Sequence, residues 1–379
     1  MSGFFSSPRI AWGPGALEQL SGLGAHRAVV VVDPTVARAR AHQRVVEELA
    51  KSETVVEVLD DLANPDRLET AVRLGGRARE FGADWLVAMG GGRTLDGAKA
   101  ARLFAERPDL AAGLPPVIEV PEAPRLHLVA IPTTSGSGSD ASWSADLWSA
   151  DGAPVELAHR ALVPDWTLVD PQLAAALPAH LRLDGGLETL VQATEAYLTA
   201  WANPFSDSLA LDAVGTVLER LPHALRWSDD PDALAALHYA ATSAGLAASN
   251  SQRGLAHALA RALEPATGLA YARLLGIVAP AVLDFDHPAA RERLERLSAA
   301  GASREETGHP ALAVRLRRLY ELYRFPPTLR AAGVAPDRIL AERETIVARA
   351  LRSPATLANP RVPSVKDVGD LIEAVVGPS

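Results

Sequence analysis

Cysteine is absent from this 379-residue chain, which excludes disulfides, thiolate metal sites and a cysteine nucleophile. Long apolar runs are absent as well: none reaches the roughly 20 residues needed to cross a bilayer. The stretch from Met1 to Pro8 also lacks the basic start and apolar segment of a signal peptide. Together these absences predict a soluble, cytoplasmic protein. No basic run is present that could track a phosphate backbone, and 46 acidic against 37 basic residues give a net charge of -9, so nucleic acid is not an expected partner. Lysine is scarce, with Lys51, Lys99 and Lys366 the only three; every other basic side chain apart from histidine is arginine.

About half of the residues are hydrophobic, and the length exceeds one ordinary core, so two domains are expected. The first half alternates short β-branched runs with amphipathic stretches. Arg27 to Val32, Asp84 to Met89 and Leu126 to Ile131 each read as a buried strand followed by turn residues and a helical pattern, which predicts a parallel α/β sheet. From about Leu181 onward strand signals vanish, and stretches such as Asp207 to Arg226 and Ala311 to Tyr323 have helical spacing. The expected division is an α/β dinucleotide-binding domain over 1–175 and an all-helical domain over 176–379. A hinge is expected at Val163 to Leu181, where Pro164, Pro171 and Pro178 punctuate the chain.

The strongest local signal is Gly90-Gly91-Gly92-Arg93-Thr94-Leu95-Asp96-Gly97-Ala98-Lys99, directly after a predicted strand and opening a helix. Glycines let a backbone approach an anion closely, and the N–H groups and dipole of a helix start favour phosphate. A pyrophosphate suits that place, and Lys99 adds weight as one of so few lysines. A second loop, Pro132 to Asp140 (PTTSGSGSD), leaves the next strand at the sheet edge where ligands bind. Its Thr133, Thr134 and Ser137 suit ribose, phosphate and amide contacts. Asp33 ends the strand Arg27 to Val32, where a carboxylate can accept from both ribose hydroxyls and repel a 2'-phosphate. That favours NAD, while nearby Arg38 and Arg40 keep NADP open.

These segments resemble the iron-containing (group III) alcohol dehydrogenase superfamily, which includes glycerol dehydrogenases and maleylacetate reductases. GGGRTLDGAK is similar to the family's GGGSxxDxAK, and PTTSGSGSD to its PTTAGTGSE. Asn64-Pro65 resembles the Asn-Pro that faces the cofactor. Further matches follow in the family's order: Pro164 to Pro178, Gly186 to Tyr197 (GLETLVQATEAY), Pro326 to Val334 and Asn359-Pro360-Arg361. The resemblance implies a dehydroquinate synthase-like fold, a parallel-sheet dinucleotide-binding domain followed by an all-α domain. It also implies a cleft between them for hydride transfer with nicotinamide, and a homodimer or larger assembly.

In that family one metal is held by an Asp and a His spaced i, i+4, and by two further His. Matched by motif, these become Glu188, Gln192, His257 and Tyr271, and an additional family His four residues after His257 becomes Arg261. One carboxylate and one imidazole remain, whereas a stable iron or zinc site usually needs three protein donors. No tightly bound metal is therefore expected. Glu188, Gln192 and Glu195 share a helix face, and Arg253, His257 and Arg261 share another if Asn250 to Leu263 is continuous helix. A guanidinium from Arg261 or Arg253, pairing with Glu188, would then supply the missing positive charge. His257 is the first candidate for proton donor or relay and Tyr271 the second.

The expected activity is an NAD(P)-dependent oxidoreductase working without a catalytic metal on a small carbonyl, imine or hydroxyl compound, in specialised metabolism. Two alternatives stand beside it. One is a non-redox cyclase or lyase related to dehydroquinate synthase, disfavoured because the helical half carries only Lys366. The other is a non-catalytic nucleotide-binding protein.

Overall fold

A computed structural model of the chain describes residues 4–60, 62–115, 118–120, 124–300 and 311–378. The chain divides into two compact units between Pro178 and Ala179, three residues beyond the expected boundary and inside the proline-punctuated hinge.

The first unit is built on a six-stranded parallel sheet. Its strands are β1 (Arg9–Trp12), β2 (Arg27–Val32), β3 (Val55–Leu59), β4 (Trp85–Gly90), β5 (His127–Pro132) and, after a hairpin, β8 (Trp166–Val169), in the order β1-β8-β5-β4-β2-β3. The hairpin pairs β6 (Ser144–Trp148) with β7 (Pro154–Ala158). Of the three strands expected from apolar runs, Arg27–Val32 matches end to end, and the other two begin and end one residue later. They read as continuous apolar runs because both faces of the sheet are covered.

On one face Val30, Val32, Val87, Met89, Val129 and Ile131 pack on Leu17, Leu20, Val45 and Leu49. On the other, Val29, Val31, Leu86, Ala88, Leu128 and Ala130 pack on Leu74 and Ala78 and on Leu95, Ala98 and Ala101. Each such Val or Leu is worth roughly 1.5–3 kcal/mol of burial. The covering helices include α2 (Gln43–Ala50), α3 (Leu68–Phe81) and α4 (Gly92–Glu106), after a short α1 (Pro34–Arg38).

Among the described residues the second unit is helical throughout. It comprises α5 (Ala179–Leu198), α6 (Pro204–Arg226), α7 (Pro231–Ser249), α8 (Leu255–Thr267), α9 (Tyr271–Ala299), α10 (Leu312–Tyr323), α11 (Pro336–Ala341), α12 (Arg343–Arg352), α13 (Pro354–Ala358) and α14 (Val365–Val376). The helical readings of Asp207 to Arg226 and Ala311 to Tyr323 fall within or upon α6 and α10. The condition placed on Asn250 to Leu263 fails. Helix α8 begins only at Leu255 after the extended Gly254, so Arg253 does not share a helix face with His257 and Arg261. Among the described residues no helix is long and apolar enough to cross a membrane.

Candidate functional site

Two regions carry the residues singled out above, one in each unit. In the first, β2, β4 and β5 end level with one another: Gly90 is in register with Pro132, Asp33 N donates to Met89 O at 2.9 Å, and Thr133 N to Gly90 O at 3.0 Å. The sheet order reverses between β2 and β4, so Asp33 and the Gly90–Gly92 loop flank the switch point where open α/β sheets bind ligands.

Sterics explain the glycines. A Cβ on Gly90 would come within 2.7 Å of Thr94, one on Gly92 within 2.7 Å of Ser137, and one on Gly91 within 3.3 Å of Thr134. The two loops therefore nest together, and no side chain among the described residues caps the start of α4. Gly97 serves the same packing one turn later, since a Cβ there would lie 2.1 Å from Pro65 O. That contact seats the Asn64-Pro65 turn, in which exposed Asn64 takes the left-handed conformation at φ 51°.

Three of the predicted cofactor contacts turn out to hold the loops themselves. Lys99 is 1 % exposed; its ammonium lies 2.8 Å from Asp96 Oδ1, donates to Ser139 O and Ser142 Oγ at 2.9 Å each, and also to Ser144 O. The ammonium of Lys99, named above among the cofactor-loop residues, is thus taken up by protein acceptors. A buried ammonium needs a counter-charge and acceptors on every side, and here it finds them inside the fold. Asp96 also accepts from Ser139 Oγ at 2.9 Å and Asp146 N at 3.1 Å, joining both signature loops to β6; burial pushes its carboxyl up, against the pull of Lys99. Arg93 forms a two-point pair with buried Asp66, at 2.7 Å for each contact, beside the Asn64-Pro65 turn. Asp33 caps α1 by accepting from Thr35 N at 2.8 Å, and its other oxygen lies 3.4 Å from Thr94 Oγ1. Arg38 reaches Thr35 at 3.4 Å, and Arg40 is exposed.

In the helical unit, continuous α5 places Glu188, Gln192 and Glu195 on one face, as the spacing predicts. The positions fourteen residues apart, His257 on α8 and Tyr271 at the first turn of α9, meet: His257 Nδ1 and the Tyr271 hydroxyl are 2.8 Å apart, with the rings edge to face at 5.6 Å between centroids. His257 is 1 % exposed, whereas Tyr271 is only partly buried. Arg261 is buried and donates to Glu264 Oε2 at 2.5 Å. Gln192 is buried, and its Nε2 has no hydrogen-bond partner among the described residues. No group of three or more His, Cys, Asp and Glu side chains disposed to hold a metal ion occurs among the described residues.

Behind this site lies a set of partners that spacing alone did not reveal. Glu195 Oε1 accepts from the backbone N–H of Ala256 at 2.7 Å and His257 at 3.2 Å, at the start of α8. Asn359 accepts from Leu255 N at 3.0 Å and donates to Asp286 at 2.6 Å. Burial pushes the Glu195 and Asp286 carboxyls each up to about 7. Glu195, Asp286 and Asn359 line a small, mostly apolar cavity with room for about one water molecule. At the other end of the α5 stripe, Arg273 Nη2 donates to Asp184 Oδ2 at 2.9 Å, and its Nε lies 2.8 Å from Oδ1. The signals available were the helical phase of Asp184 and Glu195 with Glu188, and the Asn359-Pro360-Arg361 match.

The fold and the matched sequence place the chain in the iron-containing alcohol dehydrogenase family. Residues 7–171 match the model for iron-containing alcohol dehydrogenase, and residues 182–376 that for the C-terminal part of the Fe-containing alcohol dehydrogenase family. Among its relatives are the NADPH-dependent butanol dehydrogenase of Clostridium saccharobutylicum, 28 % identical over 98 % of this chain and 97 % of that protein, and the NAD-dependent methanol dehydrogenase of Bacillus methanolicus, 29 % identical over 98 % and 99 %. The iron-containing alcohol dehydrogenase of Thermococcus thioreducens superposes with a TM-score of 0.89 at 26 % identity, over 98 % of this chain and 99 % of that one.

Proposed function

We propose that this protein is an NAD(P)-dependent oxidoreductase that exchanges hydride with a small carbonyl, imine or hydroxyl compound without a catalytic metal. The observation carrying this reading is the 2.8 Å His257–Tyr271 contact at two positions that the family pattern gives to metal ligands. The four positions now offer a carboxylate, an amide, an imidazole and a phenol. That set does not fit a tight iron or zinc site, because an amide is a weak donor, a phenol ionises only near pH ~10, and three strong donors are usual.

The cofactor cradle fits better. Gly90, Gly91 and Gly92 with the start of α4 would take the pyrophosphate, Thr133, Thr134 and Ser137 would line it, and Asp33 would accept from the adenosine ribose, favouring NAD over NADP. Bound there, nicotinamide supplies the carbon that gives or takes hydride. His257 and Tyr271 hold the proton that the substrate oxygen or nitrogen gains or loses, since an imidazole ordinarily titrates near neutrality and a phenol bonded to it can relay. A guanidinium, from Arg261 or from Arg253, supplies positive charge beside the developing anion. We further infer a cytoplasmic homodimer serving specialised metabolism.

The test is absorbance at 340 nm with NADH and NADPH against aldehydes, ketones, cyclic imines and conjugated carbonyls, before and after dialysis against a chelator, with iron and zinc measured. Turnover that persists at full rate after dialysis is expected. Loss on chelation with recovery on adding iron or zinc overturns metal independence; firm NAD(H) binding with no absorbance change across the panel overturns the oxidoreductase.

A further inference from the structure

The Tyr271 hydroxyl is only as well placed as the first turn of α9, whose N-cap, Ala270, offers no side-chain cap. Pro280, Pro288 and the non-helical Ala290 break the regularity of the helix further along. Beside the buried Leu274 and Leu275, the polar hold on the first turn is Arg273, two residues after Tyr271: its Nη2 donates to Asp184 Oδ2, its Nε lies 2.8 Å from Oδ1, and its guanidinium is 5.1 Å from the Phe325 ring centroid. Asp184 stands one turn before Glu188 on α5, and both partners of the pair are mostly withdrawn from solvent.

A closed set of links results. Glu195 ties α5 to the start of α8, His257 and Tyr271 tie α8 to α9, and Asp184 with Arg273 ties α9 back to α5. We infer that Asp184 and Arg273 are positioning residues, whose ion pair sets the Tyr271 hydroxyl against His257 Nδ1. This deepens the functional reading above and rests on it in one respect, that the His257–Tyr271 pair does the proton chemistry. The pair touches neither His257 nor the Tyr271 ring in any contact given above, so its influence runs through the backbone of residues 271–273. A planar guanidinium that donates to one carboxylate oxygen while lying against the other and near an aromatic ring is held in orientation as well as distance, which an ammonium in the same place is not.

The experiment uses the full chain, labelled with 15N in histidine. The Nδ1 resonance of His257 is assigned by its loss in His257→Asn, and its response to losing the hydroxyl is calibrated with Tyr271→Phe. Asp184→Asn and Arg273→Lys are each expected to move the resonance most of the way to the Tyr271→Phe position, and to speed exchange of the Leu274 amide about tenfold. Arg273→Lys keeps the buried charge compensated, so it reads the geometry if Asp184→Asn does not fold. A His257 resonance that stays at its wild-type position in the folded variants, while Tyr271→Phe moves it, overturns the inference. So does a Tyr271→Phe variant that leaves the resonance in place. None of these readings needs turnover, so a failure of metal-free catalysis and a failure of the clamp appear in separate measurements.

Discussion

The cofactor loops and the helical site differ in what their polar side chains do. In the loops, the charged residues of the signature are taken up by the fold: Lys99 and Asp96 satisfy each other and their neighbours inside it, and the more exposed Arg93 is paired with buried Asp66. The start of α4 carries no side-chain cap among the described residues. In the helical site the reverse holds, for Glu195 and Asn359 occupy backbone N–H groups so that the side chains of His257 and Tyr271 are the ones presented. If the loops bind their ligand through main chain, that binding depends on small residues and tolerates changes in side-chain chemistry, whereas exchanges at the helical positions would alter function directly.

The comparison can be broken most forcefully at Lys99. Lys99→Met leaves Asp96 buried without its counter-charge, and we expect a loss of about 3–5 kcal/mol in urea unfolding. A variant of wild-type stability with weakened NAD(H) affinity would instead return Lys99 to the cofactor.

Next comes Asp286, whose carboxyl is raised to about 7 from an ordinary 3.8. The folded state binds this proton more tightly than the unfolded chain, so its contribution is fully present below about pH 4 and declines as pH rises to about 7; the whole effect is at most roughly 4 kcal/mol. Asp286→Asn removes that slope. The melting temperature of the variant should gain on wild type between pH 5 and pH 8, and parallel curves would show that Asp286 is not held protonated.

At the site itself, His257→Gln and Tyr271→Phe should each lower kcat about a hundredfold, the scale of a lost general acid, with NAD(H) affinity unchanged. Unequal effects would rank the two as donor and relay. The smallest change is expected of Gly92→Ala, whose methyl would meet Ser137 at 2.7 Å. NAD(H) binding should weaken about tenfold, worth some 1.4 kcal/mol, and Ser137→Gly should restore it if the crowding is with that side chain alone.

The central strands were legible because an apolar run flanked by turn residues has few other uses. Edge strands were not. β3 keeps Glu57 half-buried among valines, β7 begins with Pro154, and β1 pairs Arg9 with Trp166 across most of the unit, a partnership with no local signature. The ligand positions were legible only through the family resemblance, whose motifs pointed to Glu188, Gln192, His257 and Tyr271, and His257 and Tyr271 do meet. Their supports were not: Asp184 and Arg273 are separated by 89 residues, and Asp286 and Asn359 by 73. Pairings of that kind are set by how helices pack, which composition does not encode. The expected helix through Arg253 failed for the same reason, since Gly254 is held extended by contacts that arrive from elsewhere in the chain.

That glycine has a consequence for how the protein is made. A Cβ on Gly254 would lie 2.9 Å from both Asn359 Oδ1 and Glu195 Oε1, so three segments far apart in sequence converge where α8 begins. During synthesis Glu195 is available early, but Asn359 emerges 104 residues after the Leu255 amide it caps. The first unit can fold while the ribosome is still at work. The helix that bears His257 acquires its full cap only near the end of translation, so this helical site is expected to be the last to mature and the first to be lost when a chain is released short of residue 359.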